Sequence, residues 1–262
     1  MSVAADRSHK VAITGASTGI GRALAERYAR RGSTLCVMAR RGHLLQPLVA
    51  AYPGRVFVYE LDVRNAQALQ AAAQDFSARA GAPDVVIANA GVSVGTITEK
   101  PDDNAVFKEV MDINVLGMMQ TFQAFLPVMA ARASGTLVGM ASVAGFRGLP
   151  GAGAYSASKA AAISYLESLR VELSGSGIAV VALCPGYIDT PMTEKNPYPM
   201  PFLLPVEEAA RRMVRVIDRR QKFAVVPWQM AIIGAGLRVL PRWLYDRLFQ
   251  NAPRKPRRDG SQ

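Results

Sequence analysis

Residues 10–30 read KVAITGASTGIGRALAERYAR, and this stretch decides the fold. It begins with a short apolar strand, KVAIT, continues through a glycine-rich turn, and predicts a helix from about Ile20 to Arg31. Glycine lets a backbone turn sharply and approach a ligand closely, and a helix that begins at such a turn presents unpaired N–H groups. The turn therefore suits a diphosphate, although one glycine-rich turn is weak support by itself.

Strands and helices alternate along the rest of the chain. Helical stretches at about 43–51 and 65–80 lie among apolar runs, which are STLCVMA (33–39), RVFVYEL (55–61), PDVVIAN (83–89), GTLVGMAS (135–142), IAVVALCPG (178–186) and FAVV (223–226). This alternation predicts βαβ units on a parallel sheet that is covered on both faces. We predict an α/β fold, with one Rossmann-type, doubly wound domain over residues 1–250 and a mostly parallel seven-stranded sheet flanked by helices on both faces.

The composition favours one ordered domain with an unevenly placed positive charge. Half of the 262 residues are hydrophobic and 19% are charged, and no linker or repeat divides the chain. The net charge is +11, and residues 205–262 hold thirteen Lys and Arg against five Asp and Glu. A basic end could bind nucleic acid, but charge runs at termini are commonly solvated tails. We expect a basic flexible tail at 251–262 and no nucleic-acid partner.

Cysteine and histidine are too few and too scattered for a disulfide framework, a metal site or a histidine base. Cys36 and Cys184 each lie in an apolar run, and His9 and His43 stand alone. The first residues contain no apolar segment before a small-residue cleavage site, and the apolar run at 224–237 is shorter than a spanning helix needs. We therefore expect a cytoplasmic protein that binds no metal ion.

Six motifs, in order between about Lys10 and Thr190, resemble those of the short-chain dehydrogenase/reductase (SDR) family. The turn at 14–21 has that family's TGxxxGxG spacing rather than the commoner G-x-G-x-x-G. The other motifs are Asn89-Ala90-Gly91 after the fourth strand, Asn114 in a long helix, Ser142 at the end of the fifth strand, the YxxxK pair Tyr155 and Lys159, and Pro185-Gly186 followed by Ile188 and Thr190. The resemblance implies a nicotinamide cofactor bound by Gly15, Ser17, Thr18, Gly19, Ile20, Gly21, Arg40, Arg41, Asp62, Val63, Asn89, Ala90, Gly91, Tyr155, Lys159, Pro185, Gly186, Ile188 and Thr190.

The end of the second strand indicates which cofactor is bound. Enzymes that prefer NAD usually place an acidic side chain there, and here Ala39 stands in that place, followed by Arg40. Because a guanidinium pairs with phosphate through charge and paired hydrogen bonds, we predict NADP, held at its 2′-phosphate. The alternative is that Arg40 only starts a basic surface loop. By resemblance Asp62 would hydrogen-bond the adenine amino group, or it could cap the helix that begins near Asn65.

The spacing of Tyr155 and Lys159 predicts an electrostatic pair. Four residues apart on a helix, the two side chains share one face, and a nearby cation lowers the pKa of a phenol from its usual value of about 10. By resemblance, Tyr155 exchanges a proton with the substrate oxygen, and Lys159 also holds the nicotinamide ribose. Ser142 would hydrogen-bond the same oxygen, Tyr187 would contact the substrate, and Asn114 would anchor a water of the proton relay. Singly, each could instead be structural: a helix face, a turn former, or a polar residue bonding its own helix.

Residues 104–132 predict a long helix that is apolar on nearly every side. Such a helix is buried twice, against the sheet and often against a second subunit, so we expect a homodimer or homotetramer. The alternative is one larger core.

Two segments near the C-terminus are interpreted as binding regions. Residues 187–205 contain five prolines directly after a strand's carboxyl end, which is typical of a lid.

Residues 227–250 predict an amphipathic helical extension, because they contain leucines at helical spacing, namely Leu237, Leu240, Leu244 and Leu248. Its apolar stripe would pack on its own domain, pack on a partner subunit, or make a peripheral membrane contact.

Together these features predict an NADP(H)-dependent oxidoreductase that interconverts a ketone or aldehyde and an alcohol. A hydrophobic carbonyl substrate, similar to a lipid, a sterol or a long-chain ketone, is favoured, because the extension resembles that of relatives acting on such compounds and the lid contains Phe202, Leu203 and Leu204. Two alternatives stay open: a non-catalytic NADP-binding sensor or scaffold of the same fold, and a 3-oxoacyl thioester reductase. The joint presence of the four motif residues speaks against the first.

Overall fold

Strands and helices alternate throughout residues 9–194 and 196–258, which the computed structural model describes. The strands of this part are β1 (Lys10–Thr14), β2 (Thr34–Ala39), β3 (Val56–Glu60), β4 (Val85–Ala88), β5 (Gly135–Met140), β6 (Ile178–Pro185), β7 (Ile188–Asp189), β8 (Leu204–Pro205) and β9 (Phe223–Val226). Seven form one sheet in the order β3-β2-β1-β4-β5-β6-β9, and each neighbouring pair is parallel. The predicted seven-stranded doubly wound α/β fold is confirmed.

Helices cover both faces of the sheet. Those of the described residues are α1 (Gly19–Arg30), α2 (Gln46–Ala51), α3 (Ala66–Ala80), α4 (Asp103–Met111), α5 (Gly117–Ala131), α6 (Gly153–Glu172), α7 (Val206–Asp218), α8 (Gln229–Val239) and α9 (Arg242–Phe249). Because strand side chains alternate between faces, Val11 and Ile13 of β1 join a core with α1, α2 and α7, whereas Ala12 joins a core with α3, α5 and α6. Both cores meet the sheet where β1 lies between β2 and β4, the point at which the strand order reverses.

The long helix predicted at 104–132 is present but contains a π-helical turn. Residues 112–116 form that turn between α4 and α5, and Asn114 lies buried within it. Turns of this kind often occur at functional sites. Residues 103–131 are also long and apolar enough to cross a membrane, as judged by length and composition over the described residues. Phe122 and Phe125 are buried against the sheet and α3, as in the core helix of a globular domain.

The helical extension predicted at 227–250 is present, but as two helices rather than one continuous amphipathic helix. Leu240 has extended backbone angles (φ −59°, ψ 127°) and separates α8 from α9. Pro241 follows it; proline lacks an N–H, and its ring disfavours helical geometry in the residue before it. The leucine spacing therefore runs across a break. Leu248 is exposed, and Tyr245 is buried in its place.

The flexible tail predicted at 251–262 differs from the structure where the chain is described. Residues 251–258 lie against the domain, with Arg257 paired to Asp103 at 2.9 Å and the Pro256 carbonyl accepting a hydrogen bond from the Gly95 N–H at 2.9 Å. A charge run alone did not reveal these partners, since both lie far away in sequence. Residues 259–262 lie outside the described residues.

Candidate active site

A cleft of ≈ 270 Å³ opens at the carboxyl ends of the central strands. Most predicted site residues line it: Gly15, Ser17, Thr18, Gly19, Ile20, Arg40, Arg41, Asp62, Val63, Asn89, Ala90, Gly91, Ser142, Tyr155, Lys159, Pro185, Gly186, Ile188 and Thr190. Gly21, Asn114 and Tyr187 are not among the lining residues and lie behind or beside it. Motif reading missed several lining residues that adjoin the motifs, namely Met38, Leu61, Val92, Ile113, Met140, Ala141, Pro191, Met192 and Thr193.

The glycine-rich turn is held against the loop after β4. Thr14 Oγ1 accepts hydrogen bonds from the N–H groups of Asn89 and Ala90, both at 3.1 Å, and Asn89 Nδ2 donates to the Thr14 carbonyl at 3.0 Å. Gly15 has φ +66°, and a Cβ there would lie 2.8 Å from Ala90 Cα. At Gly21 a Cβ would lie 2.3 Å from the Gly15 carbonyl oxygen. The two motifs therefore fit only because these positions carry no side chain.

The first turn of α1 suits an anionic ligand. Its N-cap, Thr18, makes no side-chain capping hydrogen bond, and no acidic residue lies in the first turn. The N–H groups of that turn therefore have neither a capping side chain nor a carboxylate as a partner, and the helix dipole adds positive potential there. Gly19, Ile20 and Thr18 line the cleft at this point. A diphosphate fits these donors.

The adenosine end of the cleft is basic. Ala39 is buried at the end of β2, and the exposed Arg40 and Arg41 line the cleft without an ion pair to any residue in the described part of the chain. No carboxylate stands at the end of β2. Two guanidinium groups thus remain available to a phosphate on the ribose.

Asp62 lies in this end of the cleft but is not the helix cap that we considered. Its carboxylate accepts a hydrogen bond from Arg64 Nη2 at 2.6 Å, and this contact lowers the pKa of the Asp62 carboxyl. The cap of α3 is Asn65, whose Oδ1 accepts from the Ala68 N–H at 3.0 Å. Asp62 therefore remains a candidate for the adenine contact, held in place by Arg64.

The candidate catalytic side chains meet where α6 packs on β5. Tyr155 and Lys159 share one face of α6, with Lys159 Nζ 5.7 Å from the centroid of the Tyr155 ring. Lys159 is buried, and its Nζ donates to the Met140 carbonyl at 2.8 Å. Ser142 follows β5; its hydroxyl accepts from the Ala144 N–H at 3.1 Å, donates to the Pro185 carbonyl at 3.4 Å, and lies close enough to Tyr155 to lower the pKa of that phenol. A carbonyl oxygen placed between Ser142 and Tyr155 would meet two hydroxyl groups.

The pKa of Tyr155 shifts in the direction opposite to the one that its spacing from Lys159 predicted. Burial raises the pKa of Tyr155, and the hydrogen bond from Ser142 opposes that shift. Burial also lowers the pKa of Lys159 to about 8. Spacing alone indicated a lowered phenol pKa, but it carried no information on how deeply both groups are buried. Desolvation is here the larger effect.

Asn114 connects three parts of the site rather than bonding its own helix. Its Oδ1 accepts from the Val92 N–H at 2.9 Å, and its Nδ2 donates to the Val92 carbonyl at 3.0 Å and to Ser158 Oγ at 2.9 Å. A Cβ on Gly91 would lie 3.2 Å from Asn114 Oδ1 and 3.6 Å from Lys159 Nζ. The buried amide thus ties the loop after β4 to α6 beside the candidate lysine.

The segment after β6 closes one side of the cleft. Thr193 Oγ1 donates to the Ile188 carbonyl at 2.5 Å and accepts from the Thr190 N–H at 3.1 Å, and these bonds fold the start of the predicted lid onto the cleft. Tyr187 is half-buried, and its ring contacts Tyr198 edge-on at 6.4 Å between centroids. Tyr198 lies close enough to Tyr155 and Tyr187 for their charges to raise its pKa further, beyond the rise that burial causes. Aromatic side chains therefore border the space beside the candidate tyrosine.

Comparison with known proteins agrees with this geometry. A family model described as short chain dehydrogenase matches residues 9–199. A Myxococcus xanthus (strain DK1622) protein named an uncharacterized oxidoreductase is 42% identical over 246 residues, which cover 92% of this chain and 97% of that protein. The 2-dehydro-3-deoxy-L-rhamnonate dehydrogenase (NAD(+)) of Sphingomonas sp. (strain SKA58) is 35% identical, over 71% of this chain and 74% of that protein.

A solved structure shares the whole architecture. The crystal structure of a short chain dehydrogenase from Burkholderia cenocepacia J2315 in complex with NADP has a TM-score of 0.81 to this chain, with 27% identity over 95% of this chain and 99% of that one. The family match covers the glycine-rich turn, the cleft and the tyrosine–lysine pair. This chain therefore belongs to the short-chain dehydrogenase family and is an oxidoreductase of that family.

Proposed function

We propose that the protein uses NADP(H) to interconvert a ketone or aldehyde and the corresponding alcohol. The observation that carries this proposal is the meeting of Ser142, Tyr155 and Lys159 in a cleft whose other end is bordered by Arg40 and Arg41, neither of which forms an ion pair with a described residue. A sensor or scaffold would need the cofactor end of this cleft but not the two hydroxyl groups.

Cofactor binding rests on three parts of the cleft. The N–H groups at the start of α1 would hold the diphosphate, Arg40 and Arg41 would hold the 2′-phosphate, and Lys159 would reach the nicotinamide ribose. The Burkholderia structure contains NADP, whereas the name of the Sphingomonas relative specifies NAD(+). The missing carboxylate after β2 supports NADP for this chain.

The protein's residues place and polarise the substrate. When bound, the nicotinamide ring supplies or accepts the hydride at the carbonyl carbon. Ser142 donates a hydrogen bond to the carbonyl oxygen, and Tyr155 transfers its Oη proton to that oxygen during reduction or takes a proton from the alcohol during oxidation. The Lys159 ammonium favours the phenolate that reduction leaves behind.

A hydrophobic carbonyl compound suits the space beside Tyr155. The rings of Tyr187 and Tyr198 border it, and Met192 lines the adjoining part of the cleft. Apolar and aromatic walls with a few placed polar groups are typical of small-molecule sites. The substrate would therefore carry an apolar body next to its reacting carbonyl.

A substrate screen tests the proposed activity. Purified protein is mixed with NADPH and panels of ketones, aldehydes and acyl thioesters, and the loss of nicotinamide absorbance is followed. We expect turnover of at least one ketone or aldehyde and a preference for NADPH over NADH. Turnover of acyl thioesters alone would favour a 3-oxoacyl thioester reductase, and tight NADPH binding without any turnover would favour a sensor or scaffold.

We further propose peripheral membrane contact through α8. Trp228, Ile232 and Val239 are 62, 65 and 81% exposed and lie on one side of this helix, since spacings of four and eleven residues return to the same face. Arg238 and Arg242 lie nearby, an arrangement that suits the interface of an anionic bilayer. We expect the protein to sediment with anionic vesicles at low salt; protein that stays in the supernatant would contradict the contact.

A further inference from the structure

The C-terminal segment 251–258 lies against the loops near Gly95 and Gly151 and reaches the Tyr155 ring through Lys255. Its Pro256 carbonyl accepts a hydrogen bond from the Gly95 N–H at 2.9 Å, in the loop that follows Gly91. Arg254 packs against Gly151, just before α6 begins. The segment therefore joins two loops that flank the Tyr155 side of the cleft.

Backbone contacts and an ion pair hold the segment in this position. A Cβ on Gly95 would lie 2.1 Å from the Lys255 carbonyl oxygen, and one on Gly151 would lie 2.7 Å from Arg254 Cβ. Arg257 pairs with Asp103 at 2.9 Å, and the side chains are only 10 and 8% exposed. The close contacts at Gly95 and Gly151 and the buried ion pair fix the position of the segment along the domain surface. Lys255 is therefore held in a defined position.

Lys255 points its ammonium toward the reacting groups. Its Nζ lies 5.7 Å from the centroid of the Tyr155 ring, which is the same separation as that of Lys159 Nζ. Its hydrogen-bond partner is Asn196 Oδ1 at 3.3 Å, a neutral acceptor. Among residues 9–194 and 196–258, no carboxylate pairs with it. The cation is thus largely buried beside the candidate proton donor, and the described part of the chain supplies no counter-charge.

An unpaired, partly buried ammonium is costly unless a ligand supplies the opposite charge. Burial lowers the pKa of Lys255 to about 8, and no described carboxylate offsets this shift. A carboxylate that enters with the substrate would pair with Lys255 and restore its charged form. The carboxylate would then lie beside the Lys255 ammonium, next to the Tyr155 ring, and the reacting carbonyl would lie in the cleft that Tyr155 lines.

We propose that Lys255 binds a carboxylate of the substrate, so that the enzyme acts on oxo acids and hydroxy acids in preference to their neutral esters. This inference rests on the proposed oxidoreductase function and narrows its substrate class. The substrate would still carry an apolar body, which would lie against Tyr187 and Tyr198, and it would also carry an acidic group near the carbonyl. Lys255 is thereby a specificity residue supplied by the C-terminal segment.

Matched acids and esters test the inference. The probes are 2-, 3-, 4- and 5-oxohexanoate, each against its methyl ester, assayed with NADPH on the wild type and on Lys255→Met, Lys255→Arg and Lys222→Met. The series varies the distance between ketone and carboxylate. Lys222 is an exposed lysine before β9, so its replacement controls for loss of one positive charge.

We expect at least one acid to exceed its ester in kcat/KM by about tenfold or more, mainly through a lower KM. Lys255→Met should remove that preference, Lys255→Arg should keep most of it, and Lys222→Met should leave it unchanged. Calorimetric titration of the NADP-loaded protein with hexanoate and hexanamide adds a binding readout. The affinity for hexanoate should fall in Lys255→Met, whereas the affinity for hexanamide should not change.

Three results would overturn the inference. The first is a kcat/KM for the esters that equals or exceeds that for the acids throughout the series. The second is a Lys255→Met variant with the same acid preference as Lys222→Met. The third is a Lys255→Met variant that turns over acids and esters alike faster than the wild type, which would mean that the segment only obstructs the site. Turnover of neutral ketones would in each case leave the oxidoreductase function standing. The function itself fails only if no carbonyl compound is turned over.

Discussion

At the scale of single residues, Arg40 and Arg41 should set the cofactor preference. Each guanidinium lines the adenosine end of the cleft without an ion pair to a described residue, so its charge is available to a 2′-phosphate. Hydrogen bonds to charged groups contribute about 1.5–3 kcal/mol, or roughly tenfold to a hundredfold in affinity. We expect Arg40→Ala to raise the Kd for NADPH by about that factor and to change the Kd for NADH little.

The measurement is fluorescence titration of both reduced cofactors. Arg219→Ala is the control, because Arg219 is an exposed arginine at the end of α7, away from the cleft. Equal losses for NADPH and NADH in Arg40→Ala would show that the residue does not read the 2′-phosphate.

The pH dependence should follow the buried pair. Burial raises the pKa of Tyr155, so the phenol stays protonated through the neutral range and can donate its proton for reduction. Oxidation needs the phenolate, whose fraction rises about tenfold per pH unit below its pKa. We expect kcat/KM for alcohol oxidation to rise with pH and to rise less steeply above about 8, where Lys159 and Lys255, which both lie beside the Tyr155 ring, lose their charges.

Steady-state rates in both directions from acidic to alkaline pH check this expectation. Reduction should stay level across the neutral range and fall only at alkaline pH, as Tyr155 loses its proton. An oxidation rate that is highest in acid and falls with rising pH would exclude a phenolate base.

Motif spacing identified most cleft residues but not their protonation behaviour. Most of the predicted residues line the cleft because they follow the carboxyl end of a strand, whereas Tyr155 and Lys159 reach it from α6. The direction of the Tyr155 pKa shift depends instead on burial, which spacing does not encode. Lys255 was missed because its partners, Tyr155 and Asn196, are distant in sequence.

At the scale of elements, the C-terminal segment should depend on the absence of a side chain at Gly95. A Cβ there would lie 2.1 Å from the Lys255 carbonyl oxygen, so Gly95→Ala should displace the segment. We expect the KM for an oxo acid to rise about tenfold, with little change for a neutral ketone. Gly148→Ala is the matched control, since a Cβ on Gly148 would meet nothing within 4 Å.

Limited proteolysis provides a second measurement of the same change. Trypsin should cleave after Arg254 faster in Gly95→Ala than in the wild type or in Gly148→Ala, as followed by mass spectrometry. Equal cleavage rates and equal KM values in the two variants would show that the segment is not fastened at Gly95.

Element types were predictable from the sequence, but some of their ends were not. The apolar runs gave all seven strands of the large sheet, because parallel central strands are apolar along their whole length. The leucine periodicity near the C-terminus extended across Pro241 and suggested one helix, whereas the proline divides it into α8 and α9. Local backbone restriction outweighed the hydrophobic pattern there.

At the scale of the whole molecule, the homodimer or homotetramer expected from the long helix at 104–132 stays a prediction, and exposed side chains on α4 and α6 indicate where the subunits would meet. Phe107 on α4 and Val171 on α6 are 43 and 65% exposed, although both are large and apolar. Covering such side chains favours a second subunit. We expect light scattering to give a mass that is two or four times 28.1 kDa.

A charge on the exposed face should weaken that assembly. Val171→Glu is expected to shift the mass toward 28.1 kDa, whereas Val239→Glu, on the proposed membrane face of α8, should leave it unchanged. A wild-type mass of 28.1 kDa at micromolar concentration would contradict the predicted oligomer.

The central claim is that Tyr155 exchanges the proton in an NADP(H)-dependent carbonyl reaction. The most direct test is the turnover of Tyr155→Phe with NADPH and the best carbonyl substrate, together with its Kd for NADPH. We predict a fall in kcat of about a hundredfold or more with a Kd within about twofold of the wild type, because only the hydroxyl is removed. A variant that turns over at the wild-type rate would contradict the assignment.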